Sequence, residues 1–359
     1  MSNNTMHLEQ SSYAGTDARA LIDIGYANWK AAILEAALRL GVWDKIQAGK
    51  RTAEALSQSE HWDLTGTRRL LNALCALRLL TKDGELYCLV PIAELYLLPG
   101  KPTYMGDLLM FGMAWEGHGK LADAVRTGKR PLVKAWNDTR FATHWARAHA
   151  PKQVMLERSI EESDSMWRLL GIRARDGLHV LDVACGYGIS SLALARLHPC
   201  TRITLIDWLP VLEVAGKIAQ DLGVRNQVTL LPGDARFVDF GQNEFDVAFL
   251  GHIAHYFGAI DAVNLLKRVH TSLLPGGSIV LNEVIADEER SKRENPLLSA
   301  VWLFCVTPDG DIYTLSELEG FLKQAGFVNI TQVGNIRGES EEYIQSKVTH
   351  CEAFFGTLH

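Results

Sequence analysis

Apolar positions at helical spacing dominate the first part of the chain. From Ala18 to Leu40 they form one stripe that stops at a glycine, which predicts an amphipathic helix. Shorter helices are predicted over Thr52–Leu56 and Thr65–Leu80, and residues 81–89 predict a hairpin that turns at an Asp-Gly pair. Helices followed by a small antiparallel ribbon are typical of a winged-helix module, which we expect to occupy residues 1–100.

Short apolar runs alternate with helical segments in the last part of the chain. The predicted strands are His179–Val183, Arg202–Ile206, Val228–Pro232, Phe245–Leu250 and Ser278–Glu283. Apolar runs of this length, with helices between them, predict the buried strands of a doubly wound parallel sheet. We therefore expect an α/β, Rossmann-like domain over residues 179–359.

The helical stretch between these two parts, residues 101–178, is rich in Trp, His and Met. Most of these side chains fit the core of a connecting bundle. Some could instead face a cavity for a flat apolar ligand, because aromatic and Met side chains provide adaptable contact area. We therefore expect this stretch to be a helical connector or a substrate lid.

Composition and charge exclude few classes of protein. A chain of 359 residues with 47% hydrophobic and 22% charged residues is ordinary for a soluble globular protein of about two domains. The net charge of −6, with ten Lys and Arg against eleven Asp and Glu in the first hundred residues, argues against DNA as a partner of the winged-helix module. No apolar run reaches the ~20 residues of a membrane span, and residues 1–12 lack a signal-peptide pattern. Six scattered cysteines fit free thiols, so we expect a soluble cytoplasmic protein.

The most informative motif joins the first predicted strand of the α/β part to the helix after it. The strand reaches Asp182 and ends in the turn Gly186-x-Gly188, where the backbone can approach a ligand without an intruding Cβ. A dinucleotide fold places a third glycine three residues later, and this chain has Ser191 there. Asp182 would repel a pyrophosphate, but it suits a ligand that carries an amino group.

Acids also stand at the ends of the next two strands. Asp207 follows Gly188 by nineteen residues, at a position where ribose hydroxyls would lie. The third strand ends in a Gly-Asp-Ala-Arg run that contains Asp234 and Ala235. Because ligands of open α/β sheets bind outside the carboxyl ends of the strands, we expect these acids to meet at one edge of the sheet.

This arrangement resembles the class I S-adenosylmethionine-dependent methyltransferases. Together with the helical first part, it resembles the two-domain small-molecule O-methyltransferases, whose winged-helix domain mediates dimerisation. The resemblance extends from about Ala18 to Val333 and implies S-adenosylmethionine as the cofactor. It implies that Asp182, Gly186 and Gly188 hold the methionine end, Asp207 the ribose, and Asp234 with Ala235 the adenine.

The same resemblance assigns proton transfer to His255, just after the fourth strand, as the general base. Glu283, at the end of the fifth strand, matches the acid that flanks this base, and Asp261 matches a later acid of the loop. Two positions depart from the family pattern. Tyr256 stands where an acid often follows the base, and Ile312 replaces an acid before the late helix. His255 is therefore expected to depend on Glu283 alone for its orientation.

A second histidine, His252, lies three residues before His255. We expect it to neighbour the backbone or the cofactor rather than to act as the base. Two histidines at this spacing could also bind a metal ion, but the sequence offers no third ligand at a suitable spacing. We therefore expect no metal site.

Residues 295–308 resemble the substrate-facing helix of the family. Trp302 and Phe304 are candidates for the walls of the acceptor pocket, where an aromatic ring could also lie against the sulfonium. Apolar residues at helical spacing equally fit an ordinary core helix, so both interpretations stay open.

Together these inferences predict a homodimeric S-adenosylmethionine-dependent O-methyltransferase that acts on a hydroxyl of an aromatic or polyketide-like small molecule. Methylation of nitrogen or carbon on the same fold is an alternative, because an amine or an enol needs little help from a base. A protein that binds S-adenosylmethionine but catalyses another reaction, and a ligand-responsive winged-helix regulator, are further alternatives. We expect neither a nucleic-acid nor a membrane partner.

Overall fold

The computed structural model describes residues 18–113, 115–132, 139–149, 153–172, 177–334 and 351–357. The polar N-terminal stretch before residue 18 and Trp136 of the helical connector lie outside these ranges. The chain divides into two units at residue 113. The boundaries that the sequence suggests at residues 100 and 178 stay predictions.

The first unit consists of short helices and one hairpin. Its elements are α1 (Arg19–Leu40), α2 (Val42–Gln47), α3 (Ala53–Glu60), α4 (Leu64–Ala76), β1 (Thr81–Asp83), β2 (Leu86–Cys88), α5 (Pro91–Tyr96) and α6 (Gly106–Met113). Side-chain caps define two helix starts: Thr52 accepts the N–H of Ala55 at 3.0 Å, and Asp63 accepts the N–H of Gly66 at 2.6 Å. The predicted helices are confirmed with shifted ends, since α3 extends to Glu60 and α4 ends at Ala76.

The predicted hairpin is also present, but its turn lies one residue later. Asp83 pairs with Leu86, so the two loop residues are Gly84 and Glu85. Gly84 has a φ of +55°, which a glycine adopts at little cost. Helices and hairpin enclose one apolar core whose buried side chains include Trp43, Leu56, Leu71, Leu74 and Tyr87.

The second unit surrounds one large sheet with helices. Its helices are α7 (Trp115–His118), α8 (Leu121–Thr127), α9 (Thr139–His149), α10 (Gln153–Leu169), α11 (Ile189–Leu197), α12 (Leu209–Asp221), α13 (Ala259–Ser272), α14 (Glu294–Val306) and α15 (Leu315–Gln324). Its strands are β3 (His179–Val183), β4 (Arg202–Asp207), β5 (Val228–Pro232), β6 (Phe245–Gly251), β7 (Leu273–Val284), β8 (Val328–Gly334) and β9 (Cys351–Thr357).

The seven strands follow the order β5-β4-β3-β6-β7-β9-β8. Strands β3 to β7 are parallel, and β9 runs antiparallel to both β7 and β8. This confirms the predicted α/β class and the doubly wound parallel core. The strand order reverses at β3 and β6, which is the place where such sheets bind ligands. Strand β7 begins at Leu273, five residues before the predicted start at Ser278.

Strand β3 lies in the centre of the sheet and has helices on both faces. Leu181 and Val183 pack into the apolar core on one face, and Val180 packs into the core on the other, all at 0% exposure. Alternation along the strand turns Asp182 toward the same face as Val180, where α11 packs.

No helix of the described ranges is both long enough and apolar enough to cross a bilayer.

Candidate active site

Two adjoining cavities lie at the carboxyl ends of the parallel strands in the second unit. The larger has a volume of about 440 Å³, and five of the predicted site residues line it: Gly186, Asp207, Asp234, Ala235 and His255. The smaller measures about 260 Å³ and is lined by Asp182 and by polar side chains of α10. Cys185, Tyr187, Gly251 and His252 border both cavities. The predicted strand-end residues therefore do converge, but on two chambers rather than one.

The glycine turn after β3 has two distinct roles. Gly186 and Gly188 have φ values of +54° and +66°, in the left-handed region that glycine favours. A Cβ on Gly188 would come within 2.9 Å of Leu205, so this glycine lets the turn pack against β4. A Cβ on Gly186 would come within 3.3 Å of the indole of Trp145, on the cavity side. Of the two glycines, Gly186 lines the larger cavity described above.

Asp182 is a buried acid with one oxygen that the described residues leave without a hydrogen bond. Its side chain is 1% exposed, and its Oδ2 accepts the hydroxyl of Ser191 at 2.6 Å. Its Oδ1 has no hydrogen-bond partner within the described part of the chain. Burial, with a smaller contribution from the charge of Asp207, raises the pKa of Asp182 to about 7. A cationic group in the smaller cavity would satisfy this carboxylate.

Asp207 ties the end of β4 to the glycine turn. Its Oδ2 accepts the backbone N–H of Gly186 at 2.8 Å, and its Oδ1 accepts that of Trp208 at 2.7 Å. Burial raises the pKa of Asp207 to about 6, although these two hydrogen bonds favour the charged form. Each carboxylate oxygen keeps further acceptor capacity for a ligand hydroxyl.

Asp234 is paired with a cation that sequence reasoning assigned no role. The guanidinium of Arg236 binds both Asp234 oxygens, with N–O distances of 2.6 to 3.1 Å. The backbone N–H of Arg236 also donates to Oδ1, at 2.9 Å. Both side chains line the larger cavity. The adjacent Ala235 is 8% exposed and also lines this cavity. Arg236 stands in the Gly-Asp-Ala-Arg run that follows β5, and this run was its signal in the sequence.

His255 and Glu283 form a short hydrogen-bonded pair. His255 Nδ1 lies 2.6 Å from Glu283 Oε2, and Glu283 is 1% exposed. The other oxygen, Oε1, accepts the N–H groups of Ile253 at 2.8 Å and Ala254 at 2.6 Å. Burial alone would raise the pKa of Glu283, but the charge of His255 and these hydrogen bonds outweigh it and hold the pKa below its usual value. The ionised carboxylate therefore orients the imidazole and leaves Nε2 as the nitrogen that can accept a proton.

His252 has a strained backbone and a position between the two cavities. Its φ is +56°, and its ring lies 6.2 Å from that of His255. Donor atoms of His252, His255 and Glu283 fall within 4.8 Å of one another, so the structure offers the third metal ligand that the sequence did not. Both Glu283 oxygens already accept hydrogen bonds, so a metal ion would have to break the network that orients His255. The geometry favours the orienting role.

The two departures from the family pattern lie at one small apolar cluster. Ile312 is 2% exposed and packs in a small apolar cluster with Val284 and Leu303. Tyr256 borders this cluster and also lines the larger cavity. Asp261 is exposed, in the first turn of α13.

Trp302 and Phe304 do not line either cavity. Trp302 packs against the apolar cluster that Tyr256 borders, and the ring of Phe304 lies 4.0 Å from the guanidinium of Arg130. Their predicted role as walls of the acceptor pocket stays a prediction.

Helix α9 contributes an aromatic wall to the larger cavity. The sequence alone did not distinguish these cavity-lining residues from core residues. Trp145 stacks on His149 with a centroid distance of 4.5 Å and on Tyr187 at 5.8 Å. Phe141 meets Trp208 edge to face at 6.0 Å. All five of these rings line the larger cavity. For the three rings of α9, the only signal in the sequence was the abundance of aromatic residues in the connector.

Comparison with known proteins identifies the family. A model of the O-methyltransferase domain matches residues 118–328, and a model of the O-methyltransferase dimerisation domain matches residues 24–99. Acetylserotonin O-methyltransferase of Mus musculus molossinus is 29% identical over 90% of this chain and 87% of its own length. The tetracenomycin polyketide synthesis 8-O-methyl transferase TcmO of Streptomyces glaucescens is 28% identical over 74% and 78%. The N,N-dimethyltransferase OxyT of Streptomyces rimosus is 23% identical over 86% and 90%.

Solved structures show the same fold. An O-methyltransferase family protein from Burkholderia thailandensis superposes with a TM-score of 0.75 at 21% identity, covering 96% of this chain and 98% of that protein. Human N-acetylserotonin methyltransferase, in complex with SAM, superposes with a TM-score of 0.70 at 22% identity, covering 96% and 99%.

Proposed function

This chain belongs to the O-methyltransferase family, and we propose that it transfers the methyl group of S-adenosylmethionine to a hydroxyl of an aromatic or polyketide-like small molecule. One observation carries the proposal. An imidazole oriented by a buried carboxylate, His255 on Glu283, opens onto the same cavity as Gly186 and Asp207. The proposed base and the edge of the sheet that is proposed to bind the nucleoside therefore face the same cavity.

The residues present fit the cofactor. Asp182 offers a buried carboxylate oxygen to the ammonium group of the methionine end, beside the Gly186 turn. Asp207 offers acceptor oxygens to the ribose hydroxyls, and Asp234 with Ala235 frames the adenine. When bound, S-adenosylmethionine supplies a methyl group that is activated by its attachment to a positively charged sulfur.

The chain's own part in the chemistry is to position the acceptor and remove its proton. In the neutral imidazole, Nδ1–H donates to Glu283, so Nε2 can take the proton of an acceptor hydroxyl. The O–H bond breaks, the proton moves to Nε2, and the oxygen keeps the electron pair of that bond. Glu283 then stabilises the imidazolium. A placed base of this kind contributes roughly 10²- to 10⁴-fold in rate.

The substrate class is supported by relatives and by the cavity walls. The mouse relative is named for acetylserotonin, and the Streptomyces glaucescens relative for a tetracenomycin polyketide. The larger cavity is lined by the rings of α9, which suit a flat aromatic acceptor. We propose that the enzyme acts in secondary metabolism and that it is located in the cytoplasm. The cysteines Cys75, Cys88, Cys185 and Cys305 are free thiols, which suit a reducing compartment.

Methylation of nitrogen is the second candidate. The Streptomyces rimosus relative is named an N,N-dimethyltransferase, and this chain has Tyr256 and Ile312 where the O-methyltransferase pattern places acids. An amine with an available lone pair needs less help from a base than a hydroxyl does.

Substitution of the base distinguishes the two candidates. The purified protein is incubated with S-adenosylmethionine and a panel of phenols and aryl amines that includes N-acetylserotonin, and products are detected by mass. For a hydroxyl acceptor, His255→Ala loses about 100-fold or more in kcat, while His198→Ala, at the end of α11, keeps wild-type activity. A mild loss in His255→Ala would favour nitrogen, and the absence of any methylated product would refute the proposal.

We also propose that the protein is a homodimer that associates through α1. Leu21, Ile24 and Trp29 are 74%, 74% and 59% exposed, and the rings of Tyr26 and Trp29 stack at 4.3 Å. An apolar helix face of this size in a monomer is unusual, and the dimerisation-domain model covers most of α1.

A further inference from the structure

The loop that contains His255 is held by hydrogen bonds from two sides. On one side, the carboxylate of Glu283 accepts the N–H groups of Ile253 and Ala254. On the other side lies the segment of residues 309–313, which belongs to the connection between α14 and α15. Glu283 therefore binds N–H groups of the loop, and the 309–313 segment binds carbonyl groups of the same loop.

Two donors of the 309–313 segment reach these carbonyl oxygens. The backbone N–H of Asp311 donates to the carbonyl oxygen of His255 itself, at 3.0 Å. The hydroxyl of Tyr313, a residue that is 6% exposed, donates to the carbonyl oxygen of Phe257 at 2.6 Å. Burial, with the charges of Asp311 and Glu317, raises the pKa of Tyr313, so the hydroxyl keeps the proton that it donates.

Tyr313 also binds the chain that continues from the orienting acid. Its carbonyl oxygen accepts the backbone N–H of Ala286 at 3.0 Å, three residues after Glu283. The next residue, Thr314, pairs with Ala286 in an isolated parallel bridge. One tyrosine therefore joins the loop of the base to the end of the strand that places Glu283, through its hydroxyl at Phe257 and its carbonyl at Ala286.

Gly310 is the point where the segment comes closest to the base loop. A Cβ here would lie 2.7 Å from the carbonyl oxygen of His255, 3.1 Å from that of Tyr256 and 2.6 Å from Oγ1 of Thr307. The Thr307 hydroxyl accepts the N–H of Gly310 at 2.8 Å and donates to the carbonyl of Leu303 at 2.8 Å, which fixes the segment on the end of α14. The φ of Gly310 lies outside the left-handed region, so close contact alone requires glycine here.

Ordinary core packing explains the ring of Tyr313 but not its polar contacts. The ring meets Phe321 edge to face at a centroid distance of 4.8 Å, within the apolar core. A phenylalanine would make the same contact without a hydroxyl, and burying a hydroxyl costs free energy unless it has a partner. The partner that Tyr313 has is the loop of the base.

We propose that the 309–313 segment is a positioning element for the base: Tyr313 and Gly310 hold the loop of His255 where Nδ1 can lie 2.6 Å from Glu283 Oε2. The inference rests on the proposed function, because it takes His255 as the base. Neither Tyr313 nor Gly310 lines the two cavities described above, so both act through His255. A misplacement of about 1 Å at a reacting group can cost about 100-fold in rate.

Steady-state kinetics of two variants test the positioning role. Tyr313→Phe keeps the ring and loses only the hydroxyl, and Gly310→Ala adds one methyl group against the base loop. With an acceptor of the panel that wild type methylates, we expect kcat to fall about 10-fold or more in each variant. The Kd for S-adenosylhomocysteine in calorimetry should stay within twofold of wild type, because the cofactor-binding residues are unchanged.

Each variant has a matched control. Tyr87→Phe removes a buried hydroxyl that donates to Asn72 at 2.7 Å in the first unit. Gly320→Ala adds a Cβ on α15 that would point into open space. Both controls should keep the wild-type kcat, because neither residue contacts the loop of the base.

The tautomer of His255 provides a second readout that needs no acceptor. In protein with ¹⁵N-labelled histidine, the two ring resonances of His255 are those lost in His255→Ala. In wild type at about pH 8, the Nδ1 and Nε2 resonances should be well separated, because Glu283 fixes the proton on Nδ1. In Tyr313→Phe they should move toward each other as the second tautomer becomes populated, whereas Tyr87→Phe should leave them unchanged.

The outcomes separate the positioning role from the proposed function. A wild-type kcat with unchanged His255 resonances in Tyr313→Phe, or an equal loss in Tyr87→Phe, would overturn the positioning role and leave the proposed function standing. A Kd for S-adenosylhomocysteine that rises as much as kcat falls would overturn it as well, because the whole site would then be distorted. If His255→Ala keeps its activity, or wild type methylates no acceptor, the proposed function fails, and the positioning role fails with it.

Discussion

Asp207 Oδ2 accepts the backbone N–H of Gly186 at 2.8 Å, so the acid that ends β4 holds the turn that ends β3. This bond gives Asp207 two tasks, because the same carboxylate is proposed to bind the ribose. A change at Asp207 should therefore disturb both the ligand contact and the shape of the turn.

Asp207→Asn is the first prediction. The amide keeps the size of the side chain but loses the charge that strengthens its hydrogen bonds to backbone N–H and to hydroxyl groups. We expect the Kd for S-adenosylhomocysteine to rise about 10- to 100-fold in calorimetry. Asp221→Asn, at the end of α12, serves as the control and should bind like wild type. An unchanged Kd in Asp207→Asn would contradict the ribose assignment.

The second prediction concerns the pH dependence of cofactor affinity. The pKa of Asp182 is raised to about 7, and that of Asp207 to about 6, so both carboxyls gain protons as the pH falls toward 6. Only the ionised Asp182 attracts an ammonium group. Affinity for S-adenosylhomocysteine should therefore rise between about pH 5.5 and pH 8, by up to about tenfold for each pH unit below the pKa. The Asp182→Asn variant should bind weakly and show a flatter profile.

The third prediction concerns stability in the absence of cofactor. Because the folded-state pKa of Asp182 is about 7, whereas a solvent-exposed aspartate has a pKa of 3.8, the folded state holds a proton between these pH values that the unfolded state releases. The free energy of unfolding should therefore fall as the pH rises from 3.8 to about 7. Asp182→Asn carries no ionisable group there, so its Tm at about pH 8 should exceed that of wild type. A wild-type Tm that rises from about pH 5 to pH 8, with no difference in the variant, would contradict this account of Asp182.

The fold and the strand-end residues were predictable because their signals are local. A buried strand, an acid and a Gly-x-Gly turn follow one another within ten residues of Asp182, and the parallel topology then brings Asp207 and Asp234 to the same edge. Strand β7 was predicted too short because its Pro-Gly-Gly run reads as a turn. In the structure Leu273, before this run, already pairs with Phe245, and the register shifts afterwards.

The cavity walls were not predictable from spacing. Trp145 lies in a helix whose aromatic residues repeat at ordinary core spacing, and nothing local tells a ring that faces a cavity from one that faces core. Its stacking partner Tyr187 lies more than forty residues away, and only the tertiary structure brings the two rings together. The pairing of Asp234 with Arg236 likewise depends on side-chain conformation rather than on sequence spacing.

The fourth prediction tests the proposed dimer. A charge on the exposed apolar face of α1 should be tolerated in a monomer but should disrupt an interface. We expect Ile24→Asp and Trp29→Asp to convert a dimer to a monomer in light scattering at micromolar concentration. Val125→Asp changes a residue that is 69% exposed on α8 and should leave the dimer intact. A wild-type protein that is monomeric at the same concentration would refute the assignment of α1.

The fifth prediction concerns the charge on Glu283. In Glu283→Gln, the amide oxygen can still accept the N–H groups of Ile253 and Ala254, while the NH₂ group is placed against Nδ1 of His255. Nδ1 must then act as the acceptor, so the neutral imidazole carries its proton on Nε2 and cannot act as the base.

For a hydroxyl acceptor we expect kcat to fall about 10²- to 10⁴-fold, with the Kd for S-adenosylhomocysteine within twofold of wild type. Glu319→Gln, on the surface of α15, is the matched control and should keep full activity. The loss in Glu283→Gln should also be non-additive with that in His255→Ala, because the carboxylate acts only through the imidazole. Additive losses would mean that Glu283 has a role of its own, and the orienting pair would have to be abandoned.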